Sequence, residues 1–272
     1  VDEDSALSPL VTTLNHVVSG AVSTKSHHSS EIVMQSINIV ATQLMWALNE
    51  LVEADRPPTL DQQEALHFVA HAFLQTMEGL LEKNDAIVQR AVSFEFSRPR
   101  LTPQAFFAVS DLLLAFSPAL TTHNAQLGAL VLTAPASLVN DIKSFYEAEI
   151  SSETHAEDDD EVEYKLKLTK AFGQLVTYNL LSSRSVNYAP LILVQFVRHG
   201  REVEQLIKHI LQLLRSQKGE NKVILDALKM QFEIHLSFGQ TLDESSLAPL
   251  IALSKRLANS FSIVGQKDET RR

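Results

Sequence analysis

Cysteine is missing from this chain altogether, which excludes a disulfide framework, a thiolate zinc site and a cysteine nucleophile. Glycine and proline are scarce, eight and nine in 272 residues, so the chain reads as folded and rich in regular structure rather than as low-complexity linker. No apolar run approaches the roughly 20 residues that a membrane span needs. The first residues also lack the basic stretch and apolar run of a secretory signal. Clustered Lys and Arg are wanting too. A net charge of -10 argues against gripping nucleic acid through its phosphates, and the mild basic bias of Lys255, Arg256, Lys267, Arg271 and Arg272 is too slight to make such a site. The chain opens on VDEDSALSPLV without an initiating Met, from which we expect a segment of a longer protein; a cytosolic or nuclear address fits the absence of Cys.

Catalytic signatures are absent as well. There is no glycine-rich phosphate loop, no GxSxG elbow and no HExxH. Glu64, His67 and His71 have the Glu-x-x-His spacing used in di-iron helical bundles, but a second copy and two further inward carboxylates are not visible, so we expect neither metal nor cofactor. His27 and His28 fall in a polar stretch and read as surface residues.

What the chain does have is helix after helix. A short one over 5–19 is broken at Gly20 and by STKSHHSS. Ser30 caps a long one with apolar Ile32, Val33, Ile37, Val40, Leu44, Trp46, Leu48 and Leu51, stopped by Pro57 and Pro58; Trp46 reads as core or groove lining. A third, over 61–82, carries Leu66, Phe68, Val69, Phe73, Leu74, Met77 and Leu81 at helical period. Asn84 starts a shorter one to Phe96, SRPR leads into 102–120, and further helices follow over 123–132, 135–150, 162–181, 188–199, 201–216, 221–238 and 243–261. Short joints and no segment of alternating period predict an all-α fold of antiparallel helical hairpins, a HEAT-like repeat array over 1–150 and again over 162–272. Between them, 151–161 reads as a solvated acidic loop. Seven acids and no base lie between Ser151 and Tyr164, leaving 26 acids against 23 bases in the rest of the chain.

The pivotal helix is TPQAFFAVSDLLLAFSPAL, 102–120. Thr102 is placed to cap it and Pro103 to open it. Its apolar residues go nearly all round the wheel, which predicts burial between neighbours. Gln104, Ala108, Asp111 and Ala115 form a narrow strip that leaves a carboxylate where another chain can approach; the plainer reading is a solvated Asp111, or one that satisfies a nearby turn.

Five segments, in order, resemble the SA/STAG (stromal antigen) subunits of cohesin. DLLLAFSPAL at 111–120 resembles that family's DLL-hydrophobic-FS helix. Upstream, ALNELVEADRPP and FLQTMEGLLEKND are similar to the helix, long loop and helix before it. Downstream, ALVLTAPASLVNDIKSF resembles a short hydrophobic segment and helix start, followed by an acid-rich insertion. KAFGQLVTYNLL at 170–181 resembles a hydrophobic-LIVYTVV helix, with Gly200 at a YGDII-like turn, and LIALSKRLANSFSIVGQKDETRR resembles the family's LARRFALTFG...KTRE end. The likeness runs through most of 40–272.

It implies a non-enzymatic HEAT-repeat subunit of the nucleus and chromosome, supporting sister chromatid cohesion and corresponding to the family's C-terminal half. Its partner would be the extended kleisin chain of cohesin and, through kleisin, the SMC heterodimer. Chromatin DNA and the shugoshin and insulator-protein surfaces would lie mainly outside this segment, and no membrane is involved. By position, Asp111 takes the role of the acid that contacts kleisin. Gln174 stands where the family has a kleisin-facing Lys, and Lys170, one turn earlier, is the basic residue that would replace it. Two alternatives stay open: another HEAT-type scaffold, such as a transport receptor or phosphatase scaffold, and a helical enzyme built on Glu64, His67 and His71.

Overall fold

Helices and short 3-10 turns make up the regular structure, and no strand occurs among the described residues. The structure, a computed structural model, describes residues 16–20, 30–54, 56–88, 101–151, 159–181, 185–216, 220–237 and 247–269. It divides into two compact units, Val1–Ala148 and Glu149–Arg272. Residues 16–20 are helical; the rest of the helix expected over 5–19, His27, His28, the end of the segment after Asn84, SRPR, and the acids Glu153, Glu157 and Asp158 lie outside the described residues.

In the first unit α1 (Ser30–Glu53) turns Val33, Ile37, Val40, Leu44 and Leu48 to the core. α2 (Leu60–Val88) begins on a capping box: the Thr59 N–H donates to Gln62 Oε1 at 3.0 Å and the Gln62 N–H to Thr59 Oγ1 at 3.3 Å. It runs unbroken through Asn84, so no new helix starts there. Both α1 and α2 pack on α3 (Leu101–Ala115). Leu101 is already helical, so Thr102 is not the cap and Pro103 sits inside the first turn, where its missing N–H would have had no helical partner. α3 stops five residues short of Leu120. Ser117 and Pro118 turn the chain into α4 (Ala119–His123), and Asn124, extended, caps a 3-10 turn (Ala125–Leu130) through Gln126 N–H to its Oδ1 at 3.0 Å. Of the helix expected over 123–132 only the 3-10 turn Ala125–Leu130 forms; Asn124 stops a helix from starting at 123 by satisfying the turn's N–H with its own side chain. The Leu132 N–H returns to the Phe116 carbonyl at 2.8 Å, and α5 (Ala136–Ser151) sends Phe145 against Phe106, ring centres 5.2 Å apart.

Leu101–Thr122 is long and apolar enough, by length and composition, to cross a membrane, contrary to the expectation that no such stretch exists. Burial explains the composition. Ala105, Phe106, Val109, Leu112 and Leu113 are covered within the unit, which is the pattern of a core helix between two neighbours.

The described ends of the loop expected over 151–161 are helical. Ser151 closes α5, while Asp159, Asp160 and Glu161 form the first turn of α6 (Asp159–Thr177), where carboxylates are favoured by the helix dipole. Glu161 pairs with buried Lys165 at 3.1 Å and Glu163 with exposed Lys167 at 2.7 Å. α6 ends in a Schellman motif: Leu180 N–H to Leu175 O at 2.9 Å and Asn179 N–H to Val176 O at 3.1 Å, with Asn179 at φ 58.

Around α7 (Ala189–His199) gather α6, α8 (Glu204–Ser216), α9 (Glu220–Ser237) and α10 (Ala248–Glu269). Short 3-10 turns at Ser185–Tyr188 and Gly200–Val203 lead into α7 and α8. α8 buries Ile207, Ile210, Leu211 and Leu214 along one stripe. Arg256 on α10 donates to the Phe196 carbonyl and stands over the Phe196 ring, 5.4 Å from its centre, so a cation sits at the electronegative end of α7. At Gly173 α6 approaches α8 closely. A Cβ there would land on the δ carbons of Leu206 and lie 3.0 Å from its Cγ. Gly173→Val is expected to destabilise the protein by about 1–3 kcal/mol, because the branched side chain displaces Leu206 and its neighbours; the urea midpoint measures it, and an unchanged midpoint would show that α6 and α8 part freely.

Candidate functional site

α3 is buried on every side but one, and that side is not quite the expected strip. Ala108 is covered, while Gln104, Phe107, Leu114 and Ala115 are half-buried and Asp111 is exposed. The reason is geometric. α1 and α2 both pack on α3, and the methyl group at 108 is covered, whereas the residues a turn either side stand at the rim. The Gln104 side-chain amide donates to Asn38 Oδ1, tying the rim to α1. Asp111 therefore projects from an apolar helix beside the aromatic edge of Phe107, as far from α3's covered face as any residue on it. Partial loss of hydration raises its carboxyl above the ordinary carboxylate range. The side chain remains open to water. A carboxylate so placed can accept from a Lys or Arg of another chain, with Phe107 and Leu114 as apolar contacts beside it.

Lys170 and Gln174 belong to the second unit. Both are exposed, one turn apart on α6, just before its Schellman end. They share a face and can contact one extended segment together. Asp111 belongs to the first unit.

His67 and His71 stack at 6.0 Å, but among the described residues no group of three or more His, Asp or Glu is placed to hold a metal ion, Glu64 included. Trp46 is not core: it is 67 % exposed. On the wheel of α1 it lies opposite the covered arc of Val33, Ile37, Val40, Leu44 and Leu48.

Sequence reading passed over His199. It ends α7, is buried, and its Nε2 has no hydrogen-bond partner. Burial, foremost, and the nearby Arg198 cation lower its pKa, with Glu202 opposing and Lys165 and Lys170 adding to the fall. The unfolded chain then binds a proton on this imidazole more readily than the native one. The stability it permits is full above the ordinary histidine value and is lost as pH falls through that value toward the lowered native one. His199→Leu removes both the unmet nitrogen and the titration. Its urea midpoint is expected to match or exceed wild type at pH 7 and to fall less between pH 7 and pH 5, whereas an equal fall would assign the acid sensitivity elsewhere.

No protein-family model matches the chain, and no curated protein matches it.

Proposed function

We propose that this chain is a non-enzymatic, HEAT-like protein-interaction segment that holds an extended chain, and that this chain is the kleisin subunit of cohesin. The observation that carries the reading is Asp111: one exposed carboxylate on a helix otherwise committed to the core, within the segment that resembles the kleisin-contacting motif of the SA/STAG subunits. Helix neighbours support it. In each unit helices pack on those two places along the chain, α1 on α3, α6 on α8 and α7 on α9, as well as on the next, which is the relation that stacked hairpins produce. Such stacking offers grooves between helices, where an extended segment gains affinity from apolar anchors and register from a few charges. Asp111 would supply one such charge, and Lys170 with Gln174 a second, polar contact. On this reading the protein acts in the nucleus, on chromosomes, in sister chromatid cohesion.

The deciding experiment is capture of the central region of kleisin by the whole chain, with a kleisin segment of equal length and scrambled order as the comparison. Specific, saturable capture supports the proposal. No preference over the scrambled segment ends it.

A further inference from the structure

Of the ten histidines in the chain, His67 and His71 are the only two that stand three or four residues apart. Both lie well inside α2, one turn from each other, on the flank of its buried row of Leu66, Ala70, Phe73 and Met77. His67 is half-buried and His71 exposed, and their rings stack 19° from parallel with centres 6.0 Å apart. Because α2 is unbroken from Leu60 to Val88, the backbone fixes where the two side chains start, and only their own torsions are left to adjust. Helical zinc sites place two histidines at this spacing, so that one ion with bonds of about 2.0–2.1 Å reaches a nitrogen of each ring. Glu64 adds no third bond to the same ion. It stands seven residues from His71, about 10 Å along the axis, and among the described residues no third His, Asp or Glu is grouped with the pair. The spacing therefore offers a chelate of two imidazoles, not a carboxylate-bridged centre.

We propose that His67 and His71 form a surface chelate for a divalent transition-metal ion of the class that imidazole suits, Zn²⁺, Ni²⁺ or Cu²⁺. Two nitrogen donors do not suit Mg²⁺ or Ca²⁺, which take oxygen ligands. Water fills the ion's other positions, and a side chain of another molecule can replace it. The ion clips two successive turns of α2 together, binds the helix better than the unfolded chain, and so stabilises the first unit. The proposal is independent of the kleisin reading.

Zinc sulfate titrated into the full chain by calorimetry is expected to fill one saturable site and to raise the thermal midpoint. His67→Gln and His71→Gln are each expected to weaken binding roughly tenfold or more, because the second bond otherwise forms at the high effective concentration of an intramolecular contact. His71 is exposed, so its replacement leaves circular dichroism unchanged. Ala65→His combined with His67→Gln keeps ten histidines but sets the pair six residues apart on different sides of α2, and is expected to bind as weakly as the single variants. His27→Gln with His28→Gln, the other close pair in the sequence, should leave binding intact. With Cu²⁺ as the probe, electron paramagnetic resonance should show two ring nitrogens in the wild type and one in His71→Gln. No saturable site, zinc affinity that His71→Gln leaves unchanged, affinity that survives the respaced pair, or a site that is lost with His27 and His28 instead would each overturn the proposal.

Discussion

Phe106→Ala is expected to lower the stability of the first unit by about 3–5 kcal/mol, the range for deleting a fully buried aromatic ring. Phe106 has no exposed surface, lies on the helix that both α1 and α2 pack against, and meets Phe107 and Phe145 at 5.6 and 5.2 Å. Removing its ring leaves a void that three helices would have to close at once, and their backbones are held by their own hydrogen-bond ladders. Since native domains are stable by only about 5–15 kcal/mol, the variant should stand close to unfolding at ambient temperature. Phe107, next in sequence but half-buried at the rim, is the internal comparison, and Phe107→Ala should cost well under half as much. Urea denaturation followed by circular dichroism measures both, with amide exchange in α1, α2 and α3 assigning the loss to the first unit. Equal, small losses at the two positions would mean that α3 is not the centre of its unit.

Much of that centre was legible because periodicity is a statement about covering. A helix apolar nearly all round must have neighbours on most sides, and α3 has them. The period also located α1 and most helices of the second unit to within a few residues, but it ended α2 at 82, where the helix runs on to Val88, and set the last helix at 243–261, where it spans Ala248–Glu269. What it did not convey was which of two apolar rows on one helix is covered. Ile32 and Trp46 have the same character as Val33 and Leu44, and only the position of α3 distinguishes them. Helix ends were blurred where side chains compete with the backbone: Asn124 caps a 3-10 turn where a helix was expected, and acids expected in a loop became the favourable first turn of α6. The T-x-x-Q signature at Thr59 and Gln62, which fixes the start of α2, was passed over. At the candidate site, helical spacing alone put Asp111 on the open side. It missed Phe107 and Leu114 as rim residues because aromatic and aliphatic character suggested burial. His199 carried no sequence signal at all, since an orphaned nitrogen exists only once the surrounding helices have closed around it.

Asp111→Lys is expected to weaken capture of kleisin's central region roughly 30-fold or more, corresponding to about 2 kcal/mol at the lower end of the range for breaking a charge pair that binding desolvates. The argument begins with the free protein. The raised pKa of Asp111 means that its ionised form is less well hydrated in the native state than in the unfolded chain, so the charge opposes folding and that opposition fades as pH falls. Replacing it should not unfold the chain, and Asp111→Asn should leave the urea midpoint level or higher. On the kleisin reading, a carboxylate that opposes its own fold from the open side of a core helix is one that a partner's cation would match. Lysine there would face the partner's cation, so reversal should cost more than the neutral amide, in the order wild type, Asn, Lys. A basic-to-acidic change at the facing kleisin residue should restore binding to Asp111→Lys and to no other variant, which a merely structural role could not produce. Capture should also decline on acidification at a pH above that of an ordinary carboxylate, because the raised pKa discharges Asp111 early, and Asp111→Asn should lack that part of the decline. If Asp111→Lys, folded by circular dichroism, captures kleisin as well as wild type does, the carboxylate is a solvated residue and the contact lies elsewhere on the helices.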